Sequence, residues 1–176
     1  KEMVFRIARQ RETYASSHHI NDKYSPEILA DLLANASRRA HEGKYDDAVA
    51  RLYRAVELIA QMLLAQRGID TSSVSLEQLP SSWKLTYLGN QEPIKLGQEK
   101  AFALLESLGH PAGKQFQENK NLRNYLSKRN SSILAHELEP VSKSVYEELN
   151  REAYGLAIRA FPNLDSSKDK CRFSTL

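Results

Sequence analysis

Two long amphipathic runs separated by one glycine turn constrain this chain most. Ser25-Pro26-Glu27 has the form of a helix start: a capping hydroxyl, a proline at the first helical position and an acid near the positive helix end. Ile28, Leu29, Leu32, Leu33, Ala36 and Ala40 follow at helical spacing as far as Gly43. Tyr45 opens the second run, with Asp46 and Asp47 in its first turn. Its broad apolar face is Ala48, Val49, Leu52, Tyr53, Val56, Ile59, Leu63 and Leu64, ending at Gly68. Each run has a stripe to bury and the connection is short, so the two must pack as an antiparallel helix pair.

The rest of the chain extends the same architecture. Pro80, Gly89, Pro93 and Gly97 interrupt residues 69–97, where Leu76, Leu79, Trp83, Leu85, Tyr87 and Leu88 call for burial; this reads as short helical turns folded against the pair. A short helix over Gln98–Leu108 ends at Gly109-His110-Pro111. The next begins near Lys114, carries Phe116, Leu122, Tyr125 and Leu126, runs on through His136 and stops before Pro140. Val141–Phe161 forms the last helix, with Val145, Leu149, Ala153, Leu156, Ala157 and Phe161 inward. The expected class is all-α, a helical bundle without strands, over residues 25–162. Residues 1–24 are either an amphipathic helix or the end of a preceding domain. Residues 163–176 are expected to be a flexible C-terminal tail. The chain opens at Lys1 without an initiator methionine and is expected to be cut from a longer protein.

Several function classes drop out. The one cysteine, Cys171, lies in a polar stretch, so a disulfide framework and a cysteine metal site are excluded. His18-His19 lacks further ligands at a matched spacing and reads as part of a polar linker. His41 and His110 are read as helix-end histidines facing the negative terminus. No cofactor is expected. No apolar run approaches the ~20 residues of a membrane span, so no membrane partner is expected and the location is taken as cytoplasmic. A net charge of +3 over 176 residues does not by itself demand a nucleic-acid partner.

One constellation carries chemistry. Arg129 and His136 are seven residues apart, which on a helix at ~100° per residue puts both on one face, ~10 Å apart along the axis. Ser132 lies one turn before His136 on the same stripe. Lys120, Arg123 and Lys128 precede the pair, with Glu118 as the only acid nearby in sequence: a local basic patch suited to phosphate. Read on spacing alone, the pair also fits an ordinary exposed helix face.

Arg129-Asn130-Ser131-Ser132-Ile133-Leu134-Ala135-His136 resembles the Arg-X(4 to 6)-His motif of HEPN domains. It is most similar to those of CRISPR-associated CARF–HEPN ribonucleases. Ala-Val-Ala-Arg-Leu-Tyr-Arg-Ala-Val-Glu-Leu at residues 48–58 resembles the same group, and the likeness spans about residues 26–161. It departs at Glu137, where a glycine is expected. The resemblance implies a HEPN-like bundle forming a homodimer, with two motifs facing each other across one composite site. It implies cleavage of single-stranded RNA without a metal, the substrate's 2′-hydroxyl serving as nucleophile. Arg129 and His136 would be catalytic, Asn130 and Ser132 supporting, and Arg123 and Lys128 RNA-binding. It also implies an N-terminal CARF-like domain, missing here, that binds a cyclic oligoadenylate activator in antiviral defence; residues 1–24 would be its linker or end. The alternatives are a catalytically inactive HEPN dimer, acting as scaffold or nucleotidyltransferase partner, and an unrelated helical protein-binding module.

Overall fold

A computed structural model describes residues 23–89, 93–130 and 140–164, with the side chains of 127–130 set aside. Among these residues there are seven α-helices and no strand. Helix α1 (Pro26–His41) starts as its sequence demands: Ser25 is extended and its hydroxyl accepts from the Ile28 N–H at 3.3 Å. Gly43 stops it. With φ at 74°, Gly43 donates to the Ala40 carbonyl while Lys44 donates to that of Arg39, satisfying carbonyls the helix end would otherwise orphan. Helix α2 (Tyr45–Ala65) then runs back along α1.

Helix α2 is the axis of the molecule. Twelve of its 21 residues are buried, a broad apolar face that leaves one polar stripe of Asp47, Arg51, Arg54, Glu57 and Gln61, which bond to one another along the helix. It packs against α1, α4 (Gln98–Ser107), α6 (Lys120–Asn130) and α7 (Lys143–Ala160). Between α2 and α4 the chain makes a 3₁₀ turn (Leu76–Gln78) and the short helix α3 (Ser81–Tyr87). An isolated antiparallel bridge closes this excursion: Val74 and Ile94 exchange two 2.9 Å hydrogen bonds. Leu79 and Tyr87 are buried as expected. Leu85 and Leu88 are not, at 79% and 71% exposed. Seven residues of α3 offer one narrow inward face, and Tyr87 takes it with Trp83 stacked alongside.

Helix α5 (Pro111–Glu118) meets α4 at unusually close range. Phe102 and Phe116, both fully buried, stack with centroids 4.0 Å apart and planes 6° from parallel. Beside them Gly113 lies against backbone: a Cβ there would stand 2.1 Å from Glu106 N and 2.7 Å from Leu105 C. His110 corrects the sequence reading. It does not face a negative helix terminus; it is the N-cap of α5, and its Nδ1 accepts from the Ala112 N–H at 3.2 Å. Burial, with the charge of Arg67, holds its pKa below the usual value, which keeps the ring neutral as that acceptor role requires.

The helix expected to run from Lys114 through the motif is two helices. Asn119 makes the break. Its Oδ1 accepts from the Leu122 N–H at 2.9 Å, capping α6, and its Nδ2 donates to Glu152 of α7 at 2.8 Å. One side chain thus sets where α6 begins and which stretch of α7 it lies beside. Asn119→Ala should cost about 1–2 kcal/mol from the lost cap, measured by chemical denaturation. A change under ~0.5 kcal/mol, the range of ordinary surface substitutions, would show that packing alone fixes the break.

Leu164, beyond the sequence-drawn boundary at 162, is 1% exposed, with its N–H bound to the Phe161 carbonyl. Among the described residues no helix is long and apolar enough to cross a membrane.

Candidate functional site

Geometry first locates the end of the bundle to which α6 leads. Gln115 of α5 accepts from Arg159, late in α7, and Asn119 holds Glu152, nearer its middle. The chain therefore runs antiparallel to α7 from α5 into α6. From Asn119 to Asn130 is about 16 Å of helix, and from Glu152 back to Lys143 about 14 Å. The C-terminal end of α6 and the N-terminal end of α7 thus share one end of the bundle. That end also holds the N-terminus of α2, since Asp46 Oδ1 accepts from the Val141 N–H at 3.2 Å. The C-terminus of α1 is there too, one turn before α2.

The residues singled out by sequence are distributed as follows. Lys128, Arg129 and Asn130 are the last residues of α6. Ser132, His136 and Glu137 lie outside the described residues, so the Arg129–His136 separation is not among the described geometry. Arg123 is exposed on α6, and its Nε donates to Glu99 of α4 at 3.4 Å. The basic patch is therefore more balanced than the sequence suggests: Glu99 is distant in sequence and adjacent in space. Lys114 and Glu118 pair at 3.7 Å across one turn of α5. Both pairs are exposed and contribute little to stability.

Sequence reasoning missed a cleft at the same end of the bundle. It is about 390 Å³ in volume and lined by Ala40, His41, Tyr45, Lys143, Tyr146 and Glu147. Tyr45 and Tyr146 form its aromatic wall, their centroids 6.1 Å apart at 35°. Burial pushes the Tyr146 phenol above its usual pKa, assisted by Glu147 and partly offset by a hydrogen bond with the Ser37 side chain, so the phenol is firmly protonated. Lys143 and Glu147 are exposed and pair at 3.5 Å. His41 Nδ1 lies 3.0 Å from the Ser37 carbonyl. A carbonyl oxygen can only accept, so Nδ1 carries the proton and a neutral His41 leaves its Nε2 lone pair free. The turn between α1 and α2 is braced by charged pairs: Arg39 with Glu42 at 2.9 Å and with Asp47 at 3.0 Å, and Lys44 with Glu42 at 2.8 Å. Hydrogen bonds from Lys44 and Arg39 keep the exposed Glu42 carboxyl below its usual pKa. The only sequence signal for this cleft was the pair of residues flanking Gly43, a histidine and a tyrosine. Lys143 and Tyr146 are about a hundred residues away.

Among the described residues no group of three or more His, Cys, Asp or Glu is placed to hold a metal ion. The chemistry on offer is that of a mixed-charge, hydrogen-bonding and aromatic surface at the end of the bundle where α6 terminates. A protein-family model described as "Csm6 HEPN domain" matches residues 17–160, which include the whole Arg129–His136 stretch. No curated protein matches the chain.

Proposed function

The chain belongs to the Csm6 HEPN domain family, and from that premise we infer that it is a metal-independent endoribonuclease acting on single-stranded RNA. The observation that carries this reading is that the family match spans both Arg129 and His136. Two chains related by a two-fold axis bring their α6 ends together and form one composite site. In it the substrate's 2′-hydroxyl attacks the adjacent phosphorus, forming a 2′,3′-cyclic phosphate, and the 5′-oxygen leaves with a proton. An imidazole titrates near neutrality and orients or moves that proton. A guanidinium keeps its charge and holds the phosphate while negative charge builds on it. Asn130 and Ser132 support these groups; Arg123 and Lys128 attract the strand. A cyclic oligoadenylate, bound by a CARF-like domain N-terminal to this one, activates cleavage in antiviral defence.

The nucleophile is part of the substrate, so no metal-bound water is called for. Cleavage of a single-stranded RNA should therefore be unchanged by excess chelator and leave cyclic phosphate ends, read by mass spectrometry. Activity that appears only on adding magnesium or manganese would overturn the mechanism. One observation favours a second reading: Glu137 follows the histidine, where the resemblance leads one to expect glycine. An added carboxylate repels the strand and favours a charged imidazole. A dimer that binds RNA and leaves it intact would select a catalytically silent HEPN domain.

A further inference from the structure

The cleft formed by His41, Tyr45, Lys143 and Tyr146 is not used by the Arg129–His136 chemistry, yet it occupies the same end of the bundle. We propose that it is a nucleotide subsite, which stacks one base of the RNA strand on the Tyr45 ring and holds the neighbouring phosphate on Lys143. The proposal rests on the ribonuclease reading for its ligand, and its evidence is the cleft itself.

Four observations converge. The volume, about 390 Å³, is in the range of small-ligand pockets. Tyr45 is half-buried and braced from behind by the buried Tyr146, so its ring is a fixed wall with little side-chain entropy left to lose. Such a face suits any base, because all four have a π-surface. Lys143 offers an exposed ammonium whose partner among the described residues, Glu147, is itself exposed and 3.5 Å away, a weak pair that a phosphate can displace. His41, with its tautomer set by the Ser37 carbonyl, offers Nε2 as an acceptor for an exocyclic amine of the base. A ring face, one cation and one imidazole match a nucleotide within a strand better than a bare phosphate, which would favour a denser positive charge. Val141, two residues before Lys143, is fastened to Asp46 at the start of α2, which holds the Lys143 end of α7 against the helix that carries Tyr45.

The test uses the full chain and a single-stranded RNA carrying 2′-O-methyl groups throughout, which blocks the nucleophile and separates binding from cleavage. Fluorescence anisotropy should show Tyr45→Leu binding about tenfold more weakly, and Tyr45→Phe, which keeps the ring, restoring most of the affinity. Lys143→Ala should weaken binding and reduce the slope of log K against log salt by about 0.7. His41→Ala should weaken it without changing that slope. On cleavable RNA the Tyr45→Leu loss should fall on KM more than on kcat. Parent-like binding by both Tyr45→Leu and Lys143→Ala would overturn the subsite. So would a shift in the monomer–dimer balance with RNA affinity intact, which would make the cleft a protein contact. Because Lys143 and His41 are exposed, their variants decide the matter even if Tyr45→Leu fails to fold. A parent that binds the blocked RNA through this cleft but never cuts cleavable RNA would leave the subsite standing and remove the nuclease reading. A parent that cuts with KM indifferent to all the cleft variants would do the reverse.

Discussion

His136→Ala should lower the rate of RNA cleavage by ~10²-fold or more, the usual contribution of a group that transfers a proton in the transition state. Its melting temperature should stay within a degree or two of the parent. Arg129→Ala should reduce the rate as well and weaken RNA binding, because a guanidinium contacts the phosphate before the reaction as well as during it. Arg129→Lys should recover binding better than rate, since an ammonium keeps the charge and loses the forked geometry. Mixing parent and variant adds a sharper reading. If the site is composite, a heterodimer carries one intact motif and one broken one, and its activity should fall well below half that of the parent dimer. A surface histidine on an ordinary helix face predicts none of this. Equal cleavage by parent and His136→Ala protein at matched concentration would sink the site assignment and leave the family fold untouched.

Gly113→Ala should be the most damaging small substitution in the bundle. Helix propensity alone predicts the opposite sign, since alanine is better than glycine in a helix interior by about 1 kcal/mol. The close approach decides against it. The new methyl would lie 2.1 Å from a backbone nitrogen at the C-terminal end of α4, and backbone cannot rotate away as a side chain can. The adjoining turn is also fixed, with Gly109 at φ 72° and His110 donating to the Leu105 carbonyl at 2.8 Å. Relief requires α4 and α5 to separate, which opens the fully buried stack of Phe102 on Phe116. Overpacking of this kind costs about 3 kcal/mol, a fall in Tm of about 10 °C for a domain of this size. Gly97→Ala is the control, since nothing stands within 4 Å of a Cβ there. Calorimetry that finds Gly113→Ala as stable as Gly97→Ala would show that α4 and α5 do not pack this closely.

How much of this was legible in the sequence follows from which interactions are local. Ser25-Pro26-Glu27 and Gly43 act within a turn of themselves, so the start of α1 and the hairpin were readable from residue types alone. The break at Asn119 was not. No glycine or proline interrupts residues 114–128 to mark it, and the break comes from one amide bonding forwards to the Leu122 N–H and sideways to Glu152. Leu85 and Leu88 misled for a related reason: apolar character marks a wish for burial, and a seven-residue helix has no room to grant it to every claimant. Nothing local in the sequence marks Gly113, because the backbone it admits belongs to another helix. The site divides the same way. Arg129 and His136 form a motif because they are seven residues apart. His41 and Tyr146 meet only once three helices are assembled.

Helix α2 touches four other helices and is buried on most of its circumference, so none of its middle turns can open to solvent without parting those layers. Amide exchange there is governed by unfolding of the whole domain, whereas α3, with two leucines already in water, exchanges through local opening. The bundle consequently behaves as a single cooperative unit with one loose flap. Anything that loosens the turns of α2 registers as lost global stability, and changes confined to the exposed face of α3 leave that stability intact.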